Sequence, residues 1–135
     1  MAHWLLKSEP DSYSWDDLVR DGGTVWDGVR NAQAANNLKA MAVGDEAFIY
    51  HSNVGREVVG IARVDRAAFP DPKDPTGRWV AVGVVPVRAV PRPVTLADMK
   101  AEPRLADLAL IRQSRLSVVP VSAADWRIIL AMAGG

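Results

Sequence analysis

Apolar and polar positions alternate along this chain in two rhythms, one helical and one extended. Behind Ser14, Trp15, Leu18 and Val19 recur at i, i+3 and i+4; behind Ser122, Trp126, Ile129 and Leu130 do the same. That spacing puts the apolar side chains on one face of a short amphipathic helix. Ser14–Asp17, Thr95–Asp98 and Ser122–Asp125 each read hydroxyl, two residues, aspartate. There the hydroxyl can cap the third amide of a helix while the carboxylate answers the positive helix end. Gly22-Gly23 stops the first helix and Gly134-Gly135 follows the last. A further helix is expected from about Asn31 to Met41, with Ala34, Leu38 and Met41 on one face and Gly44 ending it.

The extended rhythm predicts strands over 3–7, 46–52, 57–65, 79–87 and 116–121, with Asn53-Val54-Gly55-Arg56 as the turn of a hairpin. Residues 79–87 are rich in valine on both faces, which suits a strand covered on both sides, and Pro86 is expected at an edge or an end. The segment between Arg66 and Arg78 holds Pro70, Pro72 and Pro75 and reads as irregular. Strands 46–52 and 57–65 must then be antiparallel neighbours. No regular β-α-β alternation is visible, so a doubly wound parallel sheet is not expected. The expected class is α+β: a small mixed sheet curled toward a barrel, with short helices around it.

Composition narrows the functional classes. With 135 residues, 49% of them apolar and 24% charged, one domain over 1–135 with a sizeable core is expected. Cysteine is absent, which removes disulfides, thiolate zinc sites and a cysteine nucleophile. Sixteen basic residues balance sixteen acidic ones. A protein that coats nucleic acid through phosphates alone is strongly basic, so that class is excluded. The balance is uneven, however: residues 1–27 hold two cations and six anions, and Gly77–Ala97 hold three arginines and no acid. If nucleic acid is bound, about one to three phosphate contacts are expected, with a log–log salt slope near −1 to −3. Nothing reads as a signal peptide or a membrane span, so a soluble cytoplasmic protein with no membrane partner is expected.

Catalytic patterns are sparse. His3 and His51 are the only histidines, without metal-ligand spacing. His51, Ser52 and Ser8 make a weak case for a Ser-His-Asp set, since no nucleophile elbow is present. No phosphate-binding glycine motif points to a nucleotide cofactor. No catalytic residue, metal or cofactor is therefore assigned. Trp26-Asp27-Gly28-Val29-Arg30-Asn31 has two readings: core, turn and helix cap, or a pocket with a π-face and an acceptor beside helix amides. Arg112-Gln113-Ser114-Arg115 is either a solvated face or a phosphate contact. Lys7-Ser8 can go either way.

In combination these residues resemble a known family. His3-Trp4-Leu5-Leu6-Lys7-Ser8-Glu9-Pro10, Trp26–Asn31, Tyr50-His51-Ser52, Val59-Gly60-Ile61-Ala62 and Arg112–Val118 stand in the order found in the EVE domain, a PUA-like fold. The resemblance runs from about residue 3 to residue 130 and implies a small β pseudo-barrel with flanking short helices. The EVE domain is in turn similar to the YTH domain, a reader of N6-methyladenine. Lys7-Ser8, Trp26 and the Tyr50–Ser52…Gly60–Ala62 hairpin have counterparts there.

What the resemblance implies is a binding module for a modified base, a modified cytosine or a related one, in DNA or RNA. The base would leave its stack and enter a pocket walled by Trp26. Ser8, Asp27 and Asn31 would meet its polar edge, and Ser52 would line the same pocket. Tyr50 and Trp79 are the candidates for a second aromatic wall, with Trp79 the better fit to the core. Lys7, Arg30, Arg112 and Arg115 would hold phosphates. Two departures concern the helix after Asn31: Ala32 stands where an aromatic is expected and Ala35 where an arginine is common. Two alternatives remain open: a small enzyme acting on a nucleoside in the same pocket, and a protein-interaction domain with a vestigial pocket.

Overall fold

The computed structural model describes residues 1–135. In chain order the elements are β1 (His3–Ser8), α1 (Trp15–Asp21), β2 (Thr24–Trp26), α2 (Ala32–Ala40), β3 (Glu46–His51), β4 (Glu57–Pro70), β5 (Val80–Thr95), α3 (Leu96–Ala101), a 3-10 turn (Pro103–Leu105), α4 (Ala109–Arg112), β6 (Val118–Val121) and α5 (Ala123–Met132). The strands form one six-stranded sheet in the order β2-β5-β4-β3-β1-β6. β1 and β3 are parallel, and every other neighbouring pair is antiparallel. The class is α+β, with a mixed sheet flanked by five short α-helices.

The helix starts follow the capping grammar. Ser14 and Asp17, and likewise Thr95 and Asp98, form reciprocal capping boxes; Ser122 Oγ accepts the Asp125 amide at 3.1 Å. Gly22, at φ 71°, closes α1 in the left-handed conformation. α2 ends at Ala40 with Met41 as its cap, ahead of Gly44, which serves the turn into β3. Trp15 and Leu18 are buried, whereas Val19 faces solvent, so α1 packs through a narrower stripe than its spacing predicts.

The long strands depart most from expectation. β4 runs on to Pro70 and β5 to Thr95, through Pro86, Pro91 and Pro93. Pro86 therefore does not end its strand. β2 pairs with β5 only from Val82 to Val84, so beyond that point β4 is the only strand beside β5, and a missing amide hydrogen is tolerated on the side without a strand. Register shifts recur along β4–β5, between Val58 and Gly60 and again from Ile61 to Phe69. Each such bulge bends and twists the ladder, which curls this sheet. Between β4 and β5 the irregular chain is confined to residues 71–79. The expectation for 79–87 holds at its centre, where Ala81, Val82 and Val84 are fully covered.

The core gathers Leu5 and Leu6 of β1, Phe48 and Ile49 of β3, Leu18, Leu38, Met99, Leu105 and Ile129. Phe48 stacks on Trp126 of α5 at 3.8 Å between ring centroids. Asp45 is a buried carboxylate that accepts from Trp4 Nε1 at 3.1 Å and from the Ala42 amide at 2.9 Å. Burial alone would raise its pKa, but these bonds hold it below the usual range. No helix is long and apolar enough to cross a membrane.

Candidate nucleic-acid interface

A cavity of about 490 Å³ opens where the end of β1, the turn before α1, and β2 meet. Lys7 and Ser8 reach it from β1; Glu9, Ser12 and Tyr13 from the turn; Thr24, Val25, Trp26 and Asp27 from β2 and its exit; and Lys73 from the β4–β5 loop. Two aromatic rings, Tyr13 and Trp26, thus share the lining.

Local bonds set each wall. Ser12 and Tyr13 donate their amides to Glu9 O at 3.0 and 2.9 Å, which closes the turn. Ser8 Oγ donates to Tyr13 O at 2.6 Å, and Tyr13 Oη donates to Asp21 Oδ2 at 2.8 Å. Burial, reinforced by Asp21, pushes the Tyr13 phenol up, so it stays a neutral donor. The first amide of α1, Trp15 N, donates to His51 Nε2 at 3.0 Å. Burial lowers the His51 pKa, opposed by the charges of Glu57 and Asp16. Ser52 N donates to Ser8 O at 2.9 Å, which joins β3 to the cavity floor.

The Trp26 wall is held from behind. Trp26 is half-buried on the three-residue strand β2. Immediately after it Gly28, at φ 78°, turns the chain and donates its amide to Asp71 Oδ2 at 2.8 Å. Asp71 also accepts from Arg30 Nη1 at 2.8 Å and from the Lys73 amide at 2.7 Å. The Asp71 carboxylate is completely buried. Desolvation opposes its ionisation, but the Arg30 guanidinium and the two amides hold its pKa below the usual range. Lys73 Nζ stands 3.4 Å from Asp27 Oδ1 at the cavity.

The structure therefore divides the residues expected at the site. Lys7, Ser8, Trp26 and Asp27 come together around the cavity. Asn31 does not join them: it is the N-cap of α2, accepting the Ala34 amide at 2.9 Å, and it lines a second cleft with Gln33, Arg112 and Arg115. Lys7 lies between the two, since its Nζ donates to Ser114 O at 2.9 Å and burial lowers its pKa. Tyr50 is 3% exposed and belongs to the core; β3 is covered on both faces, so its ring cannot wall this cavity. Ser52 sits beside the cavity without lining it. Arg30 is committed to Asp71, and Arg112 to Ala106 O and Asp107 at 2.9 and 3.2 Å. Arg115 is exposed. Ala32 is exposed and Ala35 buried, so only the first of the two departures alters an open surface.

Trp79 is half-buried and lies outside the core cluster, with Arg78 over its ring. The sequence reading did not find Tyr13, Thr24, Asp71 or Lys73. Tyr13 directly precedes a helix cap, and Asp71 lies between two prolines; the position before Ser14 was the one usable signal.

The EVE domain model matches residues 2–132. The chain belongs to the EVE domain family. Human thymocyte nuclear protein 1 is 32% identical to it, over 97% of this chain and 73% of the human protein. Among solved structures, Rpa0253 from Rhodopseudomonas palustris superposes with a TM-score of 0.94 at 51% identity, covering 99% of this EVE chain and 94% of that one. The human THYN1 protein in complex with 5-methylcytosine containing DNA superposes at 0.93 with 32% identity, covering 100% and 99%. A YTH domain from Zygosaccharomyces rouxii, solved with N6-methyladenosine RNA, shares the fold at a TM-score of 0.62 and 14% identity, covering 98% and 86%.

Proposed function

We propose that this EVE domain binds nucleic acid carrying a modified base, and that the base enters the cavity beside Trp26. The observation that carries the reading is the cavity: two aromatic rings and a carboxylate open to solvent, in a chain similar over its length to a protein solved with 5-methylcytosine containing DNA. Its size lies in the range of pockets that enclose small ligands, roughly 300–1,000 Å³.

The chemistry favours a base with an exocyclic amine. Asp27 keeps acceptor sites beyond the one facing Lys73, and a cytosine N4 amine is the natural donor to a carboxylate. Thymine would set its O4 against the same oxygen. Ser8 Oγ has already placed its hydrogen on Tyr13 O, so toward a ligand it accepts. Trp26 supplies a stacking face, and Lys7 and Thr24 supply donors. Binding is favoured over catalysis because His51, the base that Ser8 or Ser52 would need, is engaged elsewhere: its Nε2 holds the Trp15 amide.

Fluorescence anisotropy with oligonucleotides identical except for 5-methylcytosine or cytosine tests this. Tighter binding of the modified strand is expected, and Asp27→Asn should weaken both strands alike, because both bases carry the N4 amine. Equal affinity for both strands contradicts the reading.

A further inference from the structure

The loop between β4 and β5 is irregular but stiff. Its first residue, Asp71, donates its amide to Trp79 O at 2.9 Å. Asp74 accepts from Thr76 Oγ1 at 2.6 Å and from the Trp79 amide at 2.7 Å. The Asp71 carboxylate fastens the whole loop to Gly28 and Arg30, immediately past Trp26 and Asp27. Whatever this loop carries is therefore fixed relative to the cavity.

It carries three things of interest. Lys73 stands at the cavity, 3.4 Å from Asp27. Trp79 is half-buried, with the Arg30 guanidinium 5.9 Å from its ring centroid. The Arg78 guanidinium lies over the same ring at 4.6 Å. Arg30 and Lys73 each face a carboxylate, but Arg78 is exposed and enters no ion pair. An arginine laid on an indole loses part of its freedom while its fork of N–H donors stays available, which suits it to a phosphate. The β4–β5 loop is balanced, with Lys73 and Arg78 against Asp71 and Asp74, whereas α1 carries Asp16, Asp17 and Asp21 against Arg20 alone. Of the two, the loop repels a polyanion less, and Arg78 is its cation outside an ion pair.

We propose that Arg78, laid on Trp79, docks a backbone phosphate of the strand whose base enters the cavity, with Lys73 between phosphate and base. Trp79 is a positioning residue: it holds the guanidinium. The proposal rests on the cavity reading for the identity of the partner, but its own prediction concerns charge and not the base.

The test is anisotropy over a series of salt concentrations, with cytosine and 5-methylcytosine oligonucleotides, on wild type, Arg78→Gln, Trp79→Ala and Trp79→Phe. Arg78→Gln should weaken both oligonucleotides alike, roughly tenfold at low salt, and make the log–log slope shallower by about 0.7–0.9. Trp79→Ala should act in the same direction and more weakly, and Trp79→Phe should restore it, all with unchanged melting temperatures. An Arg78→Gln protein with wild-type affinity and slope overturns the docking site and leaves the cavity reading standing. A loss confined to the modified oligonucleotide also overturns it, because Arg78 would then act on the base. If wild type shows no preference for 5-methylcytosine but Arg78→Gln still flattens the slope, the cavity reading fails and the docking site survives. No binding of either oligonucleotide by wild type overturns both.

Discussion

Trp15 begins the short helix α1, Trp26 ends the strand that follows it, and the two have opposite fates. Trp15 opens α1 and sinks onto the sheet above Gly60, where a Cβ would lie only 2.6 Å from its ring atoms. Trp26 sits on a strand of three residues at the edge of the same sheet, with one side packed on the core and the other facing the cavity. The difference is in what lies opposite each ring. A glycine in a central strand lets an indole close the gap completely. An edge strand backed by a buried carboxylate holds the ring in place and leaves a face open. The first arrangement buries the ring in the fold, and the second leaves the residue lining an open cavity.

Substitutions should separate the two. Trp15→Ala is expected to cost about 3–5 kcal/mol of stability, read by chemical denaturation. Gly60→Ala, which forces a methyl into the ring, should cost about 1–3 kcal/mol with the same readout. Trp26→Ala should behave differently: a loss of about 1–3 kcal/mol in binding to a modified oligonucleotide, with a far smaller change in stability than Trp15→Ala. Asp71→Ala should touch both properties, because two amides and Arg30 lose their acceptor. About 2 kcal/mol of stability is expected to go, with weaker binding from a loosened Trp26 wall.

The smallest effect is a pH dependence that sharpens the same contrast. His51 is held below its usual 6.5 by burial, and its neutral Nε2 anchors the start of α1, which carries Trp15. The folded state thus binds the proton less readily than the unfolded chain. Its contribution to stability is complete above about pH 6.5 and is lost as the pH falls through the lower folded value. Melting temperatures between pH 7.5 and 5.5 should fall in wild type and fall less in His51→Gln.

The sequence made some of this legible and hid the rest for physical reasons. Cap residues act within three positions, so Ser14, Asn31, Thr95 and Ser122 were readable directly. β2 was not, because three residues are too few to show a period. β4 and β5 were read too short, because proline is a strand breaker only where both sides are paired, and pairing is a tertiary fact. Trp26 and Asp27, read from the Trp26–Asn31 motif, line the cavity, while Tyr50, read from the Tyr50–Ser52 motif, lies in the core. An aromatic in a strand covered on both faces gives no local sign of which way it points. Tyr13 and Asp71 act from a turn and a proline-flanked loop, where side-chain placement depends on distant partners: Asp21 for one, Gly28 and Arg30 for the other.

The five tryptophan indoles provide the most direct measurement. Their Nε1–H signals can be resolved by NMR, with Trp26 assigned through Trp26→Phe, and titrated with an oligonucleotide carrying 5-methylcytosine and with its unmodified twin. The expected result is a large shift of the Trp26 signal with the modified strand and a smaller one with the unmodified strand, while Trp4, Trp15 and Trp126 stay in place. A Trp26 signal that does not move while the modified strand is bound would contradict the assignment of this cavity to the base.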